Sequence, residues 1–177
     1  MQGASLCYKP SYKQTTRKNW QHGMLTPKNV IYGFCNTTNP PKKKYLISLY
    51  RDGNLHVVAC FTTSQTRAGV PAEKVKHGAI RNSDKELVSY VFQPDKIVGV
   101  TPDGEDFRFP VQTVIRFDYC FKEEEQDRLL ANFENPVIKC KLTDKEYIDL
   151  LYAMYHSEDT PEKYKPLFEK VLKEMSA

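Results

Sequence analysis

Residues 40–65 read Pro40-Pro41-Lys42-Lys43-Lys44-Tyr45-Leu46-Ile47-Ser48-Leu49-Tyr50-Arg51-Asp52-Gly53-Asn54-Leu55-His56-Val57-Val58-Ala59-Cys60-Phe61-Thr62-Thr63-Ser64-Gln65. Two runs rich in β-branched and aromatic residues flank Arg51-Asp52-Gly53-Asn54. Asp-Gly and Gly-Asn tolerate the positive φ angles of a two-residue hairpin turn. The stretch therefore predicts a β-hairpin. With the turn at Asp52-Gly53 or Gly53-Asn54, Lys43 faces Thr62 or Ser64, and Lys44 faces Phe61 or Thr63. Either register sets a cationic cluster beside a hydroxyl cluster at the open end, a combination suited to phosphate.

Short strands are predicted on both sides of this hairpin. Asn29-Val30-Ile31-Tyr32-Gly33-Phe34 precedes a loop of Asn36 to Pro41, and Leu87 to Phe92 resumes strand chemistry. Ile97 to Val100 and Phe107 to Phe109 flank a Thr101-Pro102-Asp103-Gly104 turn, and Thr113 to Tyr119 alternates. Six or seven such strands at this spacing imply a small barrel or a strongly bent sheet. Thr66 to Lys85 reads as a long excursion with little apolar content. After residue 121 the pattern turns helical. Glu123-Glu124-Glu125 opens a segment bearing Leu129, Leu130 and Phe133, and Thr143 to Glu146 forms a capping box before Tyr147, Leu150, Leu151, Met154 and Tyr155. Thr160-Pro161-Glu162 supplies an N-cap and an N1 proline ahead of a stripe from Tyr164 to Met175. The fold class is mainly β (α+β), divided into a basic irregular arm at 1–27 anchored by Tyr8, Tyr12 and Trp20, strands at 28–121 and helices at 122–177.

The chain has 177 residues, enough for one domain with a sizeable core. Its net charge of +4 is segregated. The first 81 residues carry 13 Lys/Arg against two acidic residues, and the other 96 carry 13 against 20. A basic half of this kind is the electrostatic footprint of a polyanion partner. The five cysteines are widely spaced with no CxxC pair, so neither a zinc site nor a disulfide framework is expected, and a reduced, cytoplasmic setting fits. No apolar run approaches a membrane span, and no signal-peptide pattern is visible near Met1.

A basic residue before an apolar strand, a turn, and a second strand closing in Thr/Ser-Gln resembles the MazF/PemK family of toxin endoribonucleases. Val30 to Phe34 is similar to that family's opening strand and Asn36 to Pro41 to its loop. Lys43-Lys44 stands at its Arg-Pro position and Thr63-Ser64-Gln65 at its closing motif. The likeness lies within residues 28–65. It implies a small SH3-like antiparallel β-barrel with C-terminal helices, a homodimer, an antitoxin partner, and metal-independent cleavage of single-stranded RNA with no cofactor. Lys43, Thr63 and Ser64 would be catalytic, with Lys42, Lys44, Thr62, Gln65, Arg67 and His77 contacting RNA. The family's phosphate-gripping Arg is replaced here by Lys43, a point charge in place of a bidentate fork.

RNA cleavage without metal needs a base for the 2′-hydroxyl, charge on the phosphate and an acid for the leaving oxygen. The lysines and hydroxyls answer the second need. Of four histidines, His77 is the candidate base because it follows the Thr/Ser motif, although a solvated loop histidine is the ordinary alternative. His56 lies near the hairpin turn, and His22 and His156 have little claim. Arg67 is a candidate to supply the missing guanidinium, against an ordinary surface arginine. Tyr45 and Tyr50 fall on opposite pleats by parity. Asp103, Glu105 and Asp106 read as a hydrated hairpin tip rather than a metal site. No phosphate-binding glycine loop, nucleophile elbow or His-Glu-x-x-His is present. The competing expectation is a non-catalytic barrel that binds RNA or a protein.

Overall fold

The computed structural model describes residues 23–54, 56–82 and 86–177. The proposed anchors Tyr8, Tyr12 and Trp20 of the basic arm, and His22, lie outside the described residues. The hairpin is present as β2 (Lys42–Arg51) and β3 (His56–Phe61), with β1 (Asn29–Cys35) on the other side of β2. The remaining strands are β4 (Gly78–Arg81), β5 (Leu87–Phe92), β6 (Gly99–Val100), β7 (Asp106–Phe107), β8 (Thr113–Arg116), β9 (Phe121–Glu125) and β10 (Phe133–Leu142). They form two antiparallel sheets, ordered β7-β6-β10-β1-β2-β3-β9 and β4-β5-β8. The class is α+β, mainly β. Among the described residues the two sheets meet at a single bridge between Thr63 and Val114, and the strands do not run round one closed barrel.

At its open end the hairpin takes the Gly53-Asn54 register, with Leu46 opposite Phe61, Ile47 opposite Cys60 and Ser48 opposite Ala59. The turn itself is different. The Asp52 amide donates to His56 O at 3.0 Å, and the Asp52 carboxylate accepts from the Asn54 and His56 amides at 2.9 Å each. An Asx-type loop one residue longer than the two-residue turn results. A register shift between Ser48 and Tyr50 absorbs the extra residue. That shift also reverses the parity of the pleat, so Tyr45 and Tyr50 both pack against the main core instead of pointing to opposite faces.

The large sheet is buried on both faces, which is why its central strands read as continuous apolar runs. Along β3, Val58 and Cys60 enter the main core, whereas Val57 and Ala59 enter a second core behind the sheet. The helices are α1 (Gln126–Ala131), α2 (Asp144–Tyr155) and α3 (Lys165–Ser176). Leu150, Leu151 and Met154 of α2 and Phe168 of α3 bury in the main core, while Leu129 and Leu130 of α1 join Met24 and Leu25 in the second. The end of the basic arm is therefore pinned to the sheet. Ser48 Oγ donates to Leu25 O at 2.8 Å, and the Asn29 side chain donates to Gly23 O and Met24 O. No helix among the described residues is long and apolar enough to cross a membrane.

Three expectations about these elements are corrected. The sequence assigns residues 122–177 to helices, yet residues 133–142 form β10, which pairs with β1 and β6 at the middle of the sheet. The strand bends at Asn135-Pro136, with Asn135 at φ 48° and register shifts opposite β1, and a Cβ at Gly33 would sit 3.1 Å from Pro136 Cα. The acidic triplet does not open a helix. Glu123, Glu124 and Glu125 lie in β9, opposite Val58, Val57 and His56. Glu123 accepts from Lys163 Nζ, His56 Nε2 and Tyr164 OH, and the Lys163 contact leads in holding its carboxyl down at about 2. The excursion at 66–85 contains a 3₁₀ turn at Ala72–Lys74 and strand β4.

The capping is also half of what the sequence predicts. Thr143 Oγ1 accepts from the Glu146 amide at 3.2 Å, but the Glu146 side chain turns inward rather than back to the Thr143 amide, which donates to Val98 O instead. Thr160 caps nothing. A 3₁₀ turn at Glu162–Tyr164 precedes α3, and the Thr160 hydroxyl is buried with no partner.

The two threonines should respond in opposite senses. Thr143→Ala loses a working cap and should cost about 1 kcal/mol in urea unfolding. Thr160→Val removes an unpaired buried hydroxyl at nearly constant shape and should leave the midpoint unchanged or raise it. Gly99 is the third test. A Cβ there would overlap the Lys141 carbonyl of β10 and sit 3.1 Å from Cys140 Sγ, so Gly99→Ala should lower stability by about 1–3 kcal/mol.

Candidate phosphate-binding cleft

β2 begins as Lys42-Lys43-Lys44, past the point where β3 ends, so the three ammonium groups extend beyond the last rungs of the hairpin. The Thr62 amide still donates to Tyr45 O at 3.2 Å. Thr63 then leaves β2 and exchanges both backbone hydrogen bonds with Val114, each 2.7 Å. Divergence of the two strands opens a cleft of about 390 Å³ lined by Lys42, Lys43, Lys44, Thr62, Thr63, Ser64 and Gln65. Tyr32 and Tyr45 form one wall, their ring centroids 4.4 Å apart, and residues 110–113 close the other side.

The lysines are not equivalent. Lys42 and Lys43 are exposed, while Lys44 is half-buried and donates from Nζ to Thr62 O at 2.9 Å. Burial, and then repulsion from Lys42, lowers the Lys44 pKa below the ordinary lysine value. Thr63 Oγ1 accepts from the Gln65 amide at 3.3 Å, an ST-turn contact that leaves the hydroxyl proton available to a ligand. The cleft thus presents ammonium groups and hydroxyl donors to one anion.

Seven of the nine residues read from the sequence as site residues line this cleft, and two do not. The Arg67 guanidinium is ion-paired with Asp159 and lies 4.0 Å from Glu86. His77 is built into a buried network. Its Nδ1 accepts from the Gln93 amide at 3.3 Å, which places the proton on Nε2, and Nε2 donates to Glu146 at 2.9 Å. The second oxygen of Glu146 accepts from Tyr90 OH at 2.8 Å. His77 is therefore a half-buried histidine held by hydrogen bonds, and it does not line the cleft. His56 is held by Glu123, and His156 packs on the rings of Tyr152 and Tyr155. Among the described residues, no histidine lines the cleft.

Sequence reasoning missed Tyr32, Gln112 and the 110–113 wall. The strand pairing of Tyr32 with Tyr45 was implicit in the alternation of β1 and β2, but nothing local marks Gln112. Its Oε1 accepts from Gln93 Nε2 at 3.2 Å, so the residue whose amide holds His77 also orients a cleft residue. Around Asp103, the Gly104 amide donates to Thr101 O and the Glu105 amide to Thr101 Oγ1, a closed turn with exposed carboxylates. Among the described residues, no group of three or more His, Cys, Asp or Glu side chains is placed to hold a metal ion. The described cysteines 35, 60, 120 and 140 are buried free thiols, with burial pushing Cys140 up to about 12. No family model, curated protein or solved structure matches this chain.

Proposed function

We propose that this cleft binds the phosphate of single-stranded RNA and that the protein is a metal-independent endoribonuclease of the MazF/PemK kind. The observation that carries the reading is the convergence of Lys42, Lys43 and Lys44 with Thr62, Thr63 and Ser64 on one cleft. Exposed Lys43 supplies charge to the scissile phosphate, and Thr63 and Ser64 donate hydrogen bonds to its oxygens as charge develops there. Lys44, already shifted toward its neutral form by burial, is the titratable group in the cleft best suited to take the 2′-hydroxyl proton. The SH3-like barrel, the homodimer and the antitoxin partner rest on the resemblance in residues 28–65, and the cytoplasmic setting rests on five widely spaced cysteines with no CxxC pair.

A second reading is favoured by one specific observation, the engagement of His77 with Glu146 and Gln93 away from the cleft. With no histidine at the cleft among the described residues, the same surface serves as an RNA-binding module that does not cut.

Incubating pure protein with a long RNA in EDTA separates the two. Discrete fragments are expected, and Lys43→Ala and Thr63→Val should each lower the rate by about 10²–10³. Lys43→Arg should retain activity, since a guanidinium offers the fork that phosphate accepts. The cleavage rate should rise with pH as Lys44 loses its proton, and Lys44→Ala should flatten that limb. Intact RNA throughout, with salt-sensitive binding weakened by Lys43→Ala, would select the binding module. Unchanged cleavage in both Lys43→Ala and Thr63→Val would remove this cleft from consideration.

A further inference from the structure

A second recess adjoins the cleft across the face of β1. It holds about 500 Å³ and is lined by Tyr32, Phe34, Lys43, Glu134, Val137 and Lys139, together with Gly33 and Asn135. Tyr32 and Lys43 belong to both hollows, which therefore adjoin at these two side chains. In the β1–β2 ladder Phe34 lies opposite Lys43 and Tyr32 opposite Tyr45. These are same-face positions two residues apart, spaced by about 7 Å along the strand.

The chemistry of the two hollows differs. The cleft presents ammonium and hydroxyl groups. The recess presents open apolar surface, with Phe34 37% and Val137 40% exposed, and a carboxylate at Glu134 among the ammonium groups of Lys43 and Lys139. The Lys139 ammonium sits 5.6 Å from the Tyr32 ring centroid, so Phe34 carries the ring that is free to receive a planar group. The Glu134 carboxylate calls for hydrogen-bond donors, which a phosphate does not offer, and an exposed aromatic attracts the face of a base. The part of a nucleotide that fits here is the base, with its phosphate left in the cleft.

We propose that this recess is a base-binding subsite for an unpaired nucleotide, in which the base stacks on Phe34 and Glu134 selects a base with a hydrogen-bond-donating edge, guanine foremost. The inference rests on the reading of the cleft as an RNA-phosphate site. Unpaired bases are recognised by stacking on aromatic side chains and by hydrogen bonds to their Watson–Crick edges. An ionised carboxylate only accepts. Guanine offers N1–H and its 2-amino group side by side, matching the two carboxylate oxygens. Cytosine and adenine offer one amino group beside an acceptor, and uracil offers one N–H between two carbonyls. Lys43, at the junction, fixes the adjoining phosphate, so base and phosphate are read in register.

The test is fluorescence anisotropy with four labelled pentaribonucleotides, UUGUU, UUAUU, UUCUU and UUUUU, at low salt. Wild-type protein should prefer UUGUU. Phe34→Leu should weaken all four by about tenfold while Phe34→Tyr retains them, because a leucine fills the space without offering a stacking face. Glu134→Gln should erase the guanine preference without weakening UUUUU, since it removes a negative charge beside the phosphate cleft. Unaltered melting temperatures confirm that these surface variants are folded. Equal affinity of Phe34→Leu and wild type, or a guanine preference that survives Glu134→Gln, overturns the subsite. If Lys43→Ala still weakens binding in that case, the phosphate cleft stands without it. Failure of wild-type protein to bind any of the four overturns both.

Discussion

The exchange of two backbone hydrogen bonds between Thr63 and Val114 is the constraint on which the arrangement of this molecule depends. β3 runs beside β2 through the Thr62–Tyr45 contact and is then drawn across to the small sheet. Lys42, Lys43 and Lys44 remain paired with β1 and continue straight. The wedge between the diverging segments is the cleft, and the residues leading to Val114 form its far wall. Joint and site are thus one structure. Backbone pairing at the joint leaves the Thr63 side chain to line the cleft while the amide and carbonyl hold the sheets together.

A buried polar network stiffens the same region from behind. Glu146 is only 6% exposed, yet both of its carboxylate oxygens have donors, His77 and Tyr90. Burial leads, with the neighbouring Glu146 charge, in pushing the Tyr90 phenol well above its usual range, so Tyr90 remains a donor. A fully satisfied network of this kind ties the first turn of α2 to β5 and to the segment before β4. Through Gln93 it reaches Gln112 at the cleft wall. The inward turn of Glu146 costs the reciprocal half of the capping box, a local preference overridden by tertiary partners.

The hairpin was legible because alternation, turn residues and flanking polar clusters all agree over residues 42–65. Its register at the open end held even though the turn differed, since the bulge near Leu49 cancels the longer loop before the lysines are reached. β10 was not legible. Asn135-Pro136 carries the local signature of a loop, and only pairing with β1 and β6 reveals the strand. Arg67 and His77 were misplaced for a related reason. Their partners Asp159 and Glu146 lie 92 and 69 residues away, in segments that local patterning treats as independent helices. The cleft's cations and hydroxyls were readable because they sit on one continuous hairpin, while the wall at 110–113 comes from a distant segment.

The placement of the acidic triplet has a bearing on solubility. The large sheet ends in β9, whose outer edge pairs with no other strand among the described residues. Such an edge is a template for addition of a foreign strand. Here it carries Glu123, Glu124 and Glu125 in succession, and Glu123 stays ionised down to about pH 2 because Lys163 leads its hydrogen-bond partners. Two copies meeting antiparallel through β9 would bring their glutamates into opposition, an arrangement that like charges disfavour in cross-strand pairs. The triplet therefore disfavours growth of the sheet by accretion at β9.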